Sequence, residues 1–433
     1  MKEKQKIAFF TLGCRLNFSE TSNISRDFEP ANFEHVTFSQ EADIYVINSC
    51  MVTEKAERKC RDLIKKTHTQ YPNAEIVVIG CYSQLKHEEI KKIPGVSLVL
   101  GNQEKFNLLH FLEKKQNKEQ IVSSCEIMQT KDFHSSFSLG GRTRSFVKIQ
   151  DGCDYNCAYC TIPLARGKSR NSSIEEIFSQ TEEIYKNGVQ EIILTGVNIG
   201  DFGKSNAESL FKLLKKLEEK SKIPRIRISS IEPDLVGDNL IDLFAASEKL
   251  LPHFHLPLQS GNDKILGLMR RRYKRDLFEK LTLKLVDRIP FVSVGTDIIT
   301  AFPGETEDDF VDGLEFVKSL PLSHIHVFSY SPRKNTVAID LPGKVSSTIA
   351  KERSKLLHII SEEKEKQFIE KNLGKKRKVL FENKNKNHEY QGYTDNYIKI
   401  ISPSNRNIKN EILFVELLEM NEKREAIGKI ISQ

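Results

Sequence analysis

Nowhere in the 433-residue chain do roughly eighteen apolar residues run together, the length that a membrane-spanning helix needs, so no such span is expected. The opening MKEKQKIAFF is charged and passes into a short apolar stretch. It lacks the long apolar core and small-residue cleavage site of a secretory signal, and the expected location is the cytoplasm. Internal repeats and low-complexity segments are missing too, which sets aside repeat arrays and leaves about two to three globular domains. The formal net charge of +7 is only mildly basic; it agrees with a nucleic-acid partner without requiring one. A further absence is more telling. The stretch DGCDYNCAYCTIP carries Cys153, Cys157 and Cys160 with no fourth cysteine or histidine close behind, whereas a closed structural metal site takes four protein ligands.

Three apolar runs, residues 6–13, 42–49 and 74–80, read as buried parallel strands, each followed by a cysteine: Cys14, Cys50 and Cys81. Helical patterns lie between them, one of them opened by Thr53 as a cap, and this βαβα alternation predicts a parallel α/β domain over residues 1–115. Ligands gather at the carboxyl ends of such strands, so the three cysteines are expected to converge there. Residues 116–144 lose periodicity and read as a linker. Over 145–372, six strand candidates (SFVKIQ, EIILTG, RIRISS, HFHLPLQ, FVSVGTDIIT and HIHVFSY) alternate with helices. Six units are two short of a full barrel, so an open partial barrel with its site at the carboxyl mouth is expected. Residues 373–433 break into short β-like pieces in which lysine and arginine outnumber the acids and Tyr390, Tyr393 and Tyr397 are interleaved. That composition suits a small all-β module that stacks on RNA bases and contacts phosphates.

Eight cysteines in a large chain of a reducing compartment point to metal binding or catalysis rather than disulfides. Cys-x3-Cys-x2-Cys on the loop after a barrel's first strand can hold three irons of a [4Fe–4S] cluster and leave the fourth open. An open iron can chelate the amino and carboxylate groups of S-adenosylmethionine and pass an electron to its sulfonium, generating a 5′-deoxyadenosyl radical. The competing reading is zinc completed by a distant ligand. Cys60 and Cys125 match no ligand motif and read as packing residues.

With these motifs the chain resembles, end to end, the radical S-adenosylmethionine methylthiotransferase family. TLGCRLN, INSCMVT and IGCYSQ are similar to its N-terminal cysteine motifs, DGCDYNCAYCTIPLARGKSR to its radical motif, and the tail to its RNA-binding TRAM domain. The resemblance implies a second [4Fe–4S] cluster on Cys14, Cys50 and Cys81, again with one iron free, here for an external sulfur. It also implies that Tyr159, Gly196, Ser229, Ser230, Glu232 and Gln259 lie around the adenosylmethionine. Arg142 and Arg144 of RTR, Arg166 and Arg170 of ARGKSR, and Tyr393 are the RNA-binding candidates, the arginines alternatively pairing with carboxylates. MRRRYKR reads as a solvated charge run, and His253 and His255 as packed or hydrogen-bonded strand residues. Asn171 stands where the family usually has serine and is expected to cap the following helix.

The implied activity is insertion of a methylthio group at the adenine C2 of N6-threonylcarbamoyladenosine next to the tRNA anticodon. It would use two clusters, two adenosylmethionine molecules, a low-potential electron donor and an unidentified sulfur donor, in a monomer free of membrane. Alternatives are the sister branch acting on isopentenyl-type adenosine, the branch acting on a ribosomal-protein aspartate, and a non-catalytic iron–sulfur RNA-binding protein.

Overall fold

The computed structural model describes residues 4–29, 33–115, 120–140, 143–385, 387 and 389–431. The first unit is an all-parallel sheet in the order Phe33–His35, Gln5–Thr11, Ile44–Ser49, Glu75–Gly80, Val96–Leu100, Ile121–Ser123. Helical crossovers make it parallel, and helices cover both faces. On one face Ile47 and Val78 pack with Cys60, Ile64 and Tyr82; on the other Val46, Val77 and Ile79 pack with Ile24 and Leu108. Three strands were legible as apolar runs. Phe33–His35, Val96–Leu100 and Ile121–Ser123 complete the sheet.

The last of these falls inside the segment 116–144 that reads as a linker. Part of that segment is structured, because Ser136–Phe137 also pairs antiparallel with Arg144–Lys148 of the second sheet. Strands of three and two residues are too short to show a period.

In the second unit all six expected strands form and run parallel: Arg144–Lys148, Glu191–Thr195, Arg225–Ile228, His253–His255, Ser293–Thr300 and His324–Ser329. Only one bridge, Ile226 to Leu250, links the third to the approach of the fourth. Among the described residues the first and last strands do not pair, so the arc stays open. The helix-facing residues Val147, Ile192, Ile226, Phe254, Val294 and Ile325 form the main core. Ser173, not Asn171, caps the helix Ile174–Lys186 by accepting from the Glu176 amide. Asn171 lies two residues too early, and its side chain instead accepts from the Gly203 amide and the Ser205 hydroxyl.

The helix Ser347–Asn372 gives Leu357 and Ile360 to the barrel core and Ile369 to the tail core, joining the two units. The tail is a closed five-stranded barrel, as expected of a TRAM-like module. It docks on the amino-terminal ends of the central strands. Arg225 donates to the carbonyls of Lys378 and Thr394 at 3.1 Å, and Arg227 to that of Asp395 at 3.2 Å. Glu191 holds both guanidinium groups, at 2.7 and 3.1 Å. The tail therefore closes the lower end of the barrel, and the cysteines occupy the upper end.

Candidate two-cluster active site

The sheet order of the first unit reverses direction between Gln5–Thr11 and Ile44–Ser49. At such a switch point the loops leaving neighbouring strands part and open a crevice. Cys14 and Cys50 follow those two strands, and Cys81 opens the helix after the next. Gly13, at φ +96°, makes the close approach feasible, because a Cβ there would lie 2.5 Å from the Cβ of Cys50 and 2.7 Å from its sulfur. Burial together with neighbouring Cys81 pushes the Cys50 thiol up to about 12. An iron centre that binds here displaces that proton.

In the second triad the Tyr155 amide donates to the Cys153 sulfur and the Ile162 amide to the Cys160 sulfur, each at 3.4 Å. Arg271 donates to the Cys157 sulfur at 3.3 Å. Burial pushes Cys153 up to about 11 and Cys160 to about 12.

Arg166 stands between the triads and is fully buried. It donates to Glu20 at 3.0 and 3.1 Å, to Asp151 at 2.9 Å and to Asn17 at 2.7 Å, which locks the radical-motif helix Ile162–Arg166 onto the helix Arg15–Arg26 that follows Cys14. Lys105 and Lys148 also hold Glu20, and Lys148 and Arg170 hold Asp151. Four cationic side chains thus face two carboxylates. The excess positive charge lies beside Cys14 and Cys81, where it favours an anionic tris-thiolate cluster. Asn102 spans the same gap, donating to the Cys81 sulfur at 3.6 Å and to the Ala165 carbonyl at 2.6 Å.

These contacts correct the RNA assignment of Arg166 and Arg170. Both are buried and paired with carboxylates, and Arg170 also donates to the carbonyls of Asp132, Arg166 and Lys168. Neither can reach a phosphate. Arg144 is likewise spent on Glu382, at 2.5 Å, and on the face of the Tyr393 ring, 4.8 Å from its centroid. The other neighbour of Tyr393 is Tyr397, stacked at 5.0 Å. Arg144 and Tyr393 hold the tail to the barrel and are not a free RNA surface. Arg142 lies outside the described residues.

A cavity of about 260 Å³ opens beside the central triad, lined by Tyr159, Cys160, Gln259, Asp297, Phe328 and, from the first unit, Val52 and Thr53. Tyr159 and Gln259 therefore share one space. The other cofactor candidates stand at strand ends. A Cβ on Gly196 would come within 2.9 Å of the Gln150 side-chain oxygen. The buried Ser229 hydroxyl has no partner among the described residues, and Ser230 bonds His255 Nδ1 at 2.8 Å. Glu232 pairs with Arg271, and burial pushes its carboxyl up to about 7 against the pull of that arginine. Three thiols, a partnerless hydroxyl and a cavity shared with Tyr159 fit a cluster-bound adenosylmethionine. Arg271 is the functional residue that sequence reasoning missed. In a charge run such as MRRRYKR nothing distinguishes the arginine turned inward, whereas the structure buries Arg271 and stacks Arg272 on Tyr155 at 3.6 Å.

Fold and site together define a radical S-adenosylmethionine protein with a second cysteine crevice. Residues 147–317 match the radical SAM superfamily, and residues 6–101 match the uncharacterized protein family UPF0004. The threonylcarbamoyladenosine tRNA methylthiotransferase MtaB of Aquifex aeolicus is 38% identical over 91% of this chain and 96% of its own. The MtaB of Bacillus subtilis is 34% identical over 95% and 94%. A tRNA-2-methylthio-N(6)-dimethylallyladenosine synthase from Methylacidiphilum infernorum is 31% identical over 94% and 91%. Among solved structures, the radical S-adenosylmethionine methyltransferase TsrM of Kitasatospora setae shares the fold at a TM-score of 0.56 and 12% identity, over 78% of this chain and 77% of that one. The chain belongs to the radical SAM methylthiotransferases, in the MtaB branch. Among the described residues no helix is long and apolar enough to cross a membrane.

Proposed function

We propose that this enzyme transfers a methylthio group to C2 of N6-threonylcarbamoyladenosine beside the anticodon of tRNA, acting as a single cytoplasmic chain supplied by a low-potential electron donor and a separate sulfur donor. The observation that carries this reading is the end-to-end similarity to MtaB methylthiotransferase relatives, joined to two cysteine triads on elements that Arg166 ties together. When bound, the two clusters supply the electron that cleaves adenosylmethionine and the iron that carries sulfur. The chain's own residues then have separate tasks. Cys153, Cys157 and Cys160 hold the radical cluster, with Arg271 donating to Cys157 and pairing with Glu232. Cys14, Cys50 and Cys81 hold the second cluster beside the excess cationic charge of the Arg166 network. Tyr159 and Gln259 line the cavity beside Cys160, and Val52 and Thr53 of the first unit line it as well.

Mass spectrometry of tRNA nucleosides from cells with and without the gene tests this directly. The expected result is loss of the 2-methylthio form with retention of N6-threonylcarbamoyladenosine. Loss of methylthio-isopentenyladenosine instead would assign the chain to the sister activity, and no change in either nucleoside would refute a role in tRNA.

A further inference from the structure

The inner face of the central barrel is unusually polar for a closed interior. Side chains alternate along each strand, and Phe254, Val294 and Ile325 face the helices, so His255, Gly295, Asp297, His324, His326 and Phe328 face the lumen. The pairing register stacks them in layers: His255, Gly295 and His324 form one, Asp297 and His326 the next, Ile299 and Phe328 the one nearest the mouth. Asp297 and Phe328 line the cofactor cavity, so the histidine layers lie directly beneath it.

The ring nitrogens of His255, His324 and His326 fall within 4.8 Å of one another. A metal ion is the first ligand such a trio suggests, and the buried His255 Nε2 makes no hydrogen bond among the described residues, yet a carboxylate oxygen already sits against it. The His255 Nδ1 is engaged by Ser230 at 2.8 Å, and its Nε2 lies 3.2 Å from Asp297 Oδ1. His326 Nδ1 meets the same carboxylate oxygen at 3.3 Å, and His324 Nδ1 meets Ser323 at 3.2 Å. Every imidazole is therefore oriented by a polar neighbour. Among the described residues the Nε2 atoms of His324 and His326 remain without a partner, and the His326 side chain is 56% exposed to the open lumen. A glycine at position 295 makes the room, since a Cβ there would fall inside the His324 ring. One layer above, the Phe328 ring is 46% exposed and free to stack.

We infer that this lumen is the specificity site for the N6 substituent of the substrate adenine: Phe328 stacks on the base, while His324 and His326, braced by Asp297, hydrogen-bond the polar urea and hydroxy-acid groups of a threonylcarbamoyl chain. The inference rests on the proposed function. A hydrocarbon substituent of the isopentenyl kind leaves the Nε2 atoms of His324 and His326 without partners, and covering polar groups unpaired is what rejects a wrong substrate. Because C2 and the N6 substituent leave the ring in different directions, a substituent directed down the lumen leaves C2 at the mouth, beside the two triads.

The test compares binding of anticodon stem-loops carrying N6-threonylcarbamoyladenosine or plain adenosine to the cluster-reconstituted enzyme, for the unaltered protein, His326→Gln and His326→Leu. Iron content and thermal unfolding serve as folding controls. The unaltered enzyme should prefer the modified loop by about tenfold or more, as one or two buried hydrogen bonds would give. His326→Leu should abolish the preference, and His326→Gln should keep part of it. Preference retained in His326→Leu overturns the inference and leaves the proposed function standing. Absence of preference in the unaltered enzyme, together with no methylthiolated product, overturns both. One equivalent of a non-iron divalent metal that His326→Leu loses would also overturn the inference and make the trio a metal site.

Discussion

Arg166 shows how far a single residue can depart from the role its sequence setting suggests. RGxxR beside a catalytic loop looks like a phosphate clamp, but here the first arginine is wholly buried and ties two cluster crevices together through Glu20, Asp151 and Asn17. Removing one partner from a buried ionic set costs far more than the set contributes, because the remaining charges are stranded in low dielectric. Arg166→Leu should therefore destabilise the protein by about 3–5 kcal/mol in denaturant unfolding. Arg144→Leu, at a partly buried pair with Glu382 that lies nearer the surface, should cost about 1 kcal/mol. Equal losses in the two variants would mean that Arg166 is not the central contact between the first two units. No sequence pattern announces Glu20 as its partner, since 146 residues separate them. The cysteines were legible because cluster chemistry fixes residue type and spacing. The burial of an arginine depends on which element packs over it, and that is a tertiary fact.

At the scale of elements, long periodic segments were legible and short or edge pieces were not. The six barrel strands, the capping by Thr53 and the β character of the tail follow from local pattern. The edge strand Ile121–Ser123 carries no pattern, and neither does the face on which the tail docks. That docking sets an acid limit. Burial would raise the Glu191 carboxyl pKa, but Arg227, Arg225 and Arg144 outweigh it and hold the group at about 2, below the ordinary value of about 4.3. A depressed carboxyl contributes stability above its unfolded pKa and loses it as pH falls through the folded one. Docking of the tail should therefore persist at about pH 4 and fail as pH approaches about 2. Pepsin cleavage near residue 374, followed against pH, measures it. Release at the pH where exposed carboxylates titrate would show that Glu191 does not hold the tail. With Arg144 and Tyr393 engaged in this interface, we propose as phosphate contacts the exposed Lys376 and Lys378, which line a cleft of about 590 Å³ between tail and barrel together with Phe414. Replacing both by glutamate should weaken tRNA binding and lower the slope of log affinity against log salt by about 1–2. An unchanged slope would move the phosphate contact elsewhere.

For the whole molecule, the decisive feature is that the two cysteine triads lie on different domains, and that Cys160 of one lines a cavity which Val52 and Thr53 of the other domain also line. Cys153, Cys157 and Cys160 sit in the barrel mouth beside Arg271, Glu232 and Tyr159, the proposed place of adenosylmethionine cleavage. Cys14, Cys50 and Cys81 sit at the switch point of a separate sheet, whose cores are built from the first unit's own residues except for Ala165 of the radical-motif helix. Loss of either cluster should therefore spare the other. Replacing Cys14, Cys50 and Cys81 by alanine should leave one reconstituted cluster and retain reductive cleavage of adenosylmethionine to 5′-deoxyadenosine, yet give no methylthio product. Replacing Cys153, Cys157 and Cys160 should abolish cleavage and keep the N-terminal cluster. The Arg166 network complicates the first variant, because its excess positive charge loses the anionic cluster it faces. Soluble yield and thermal unfolding must accordingly be measured beside iron content. If the N-terminal triple variant folds, holds one cluster and still makes methylthiolated tRNA, then sulfur does not pass through Cys14, Cys50 and Cys81. The crevice at the sheet's switch point would then need another role.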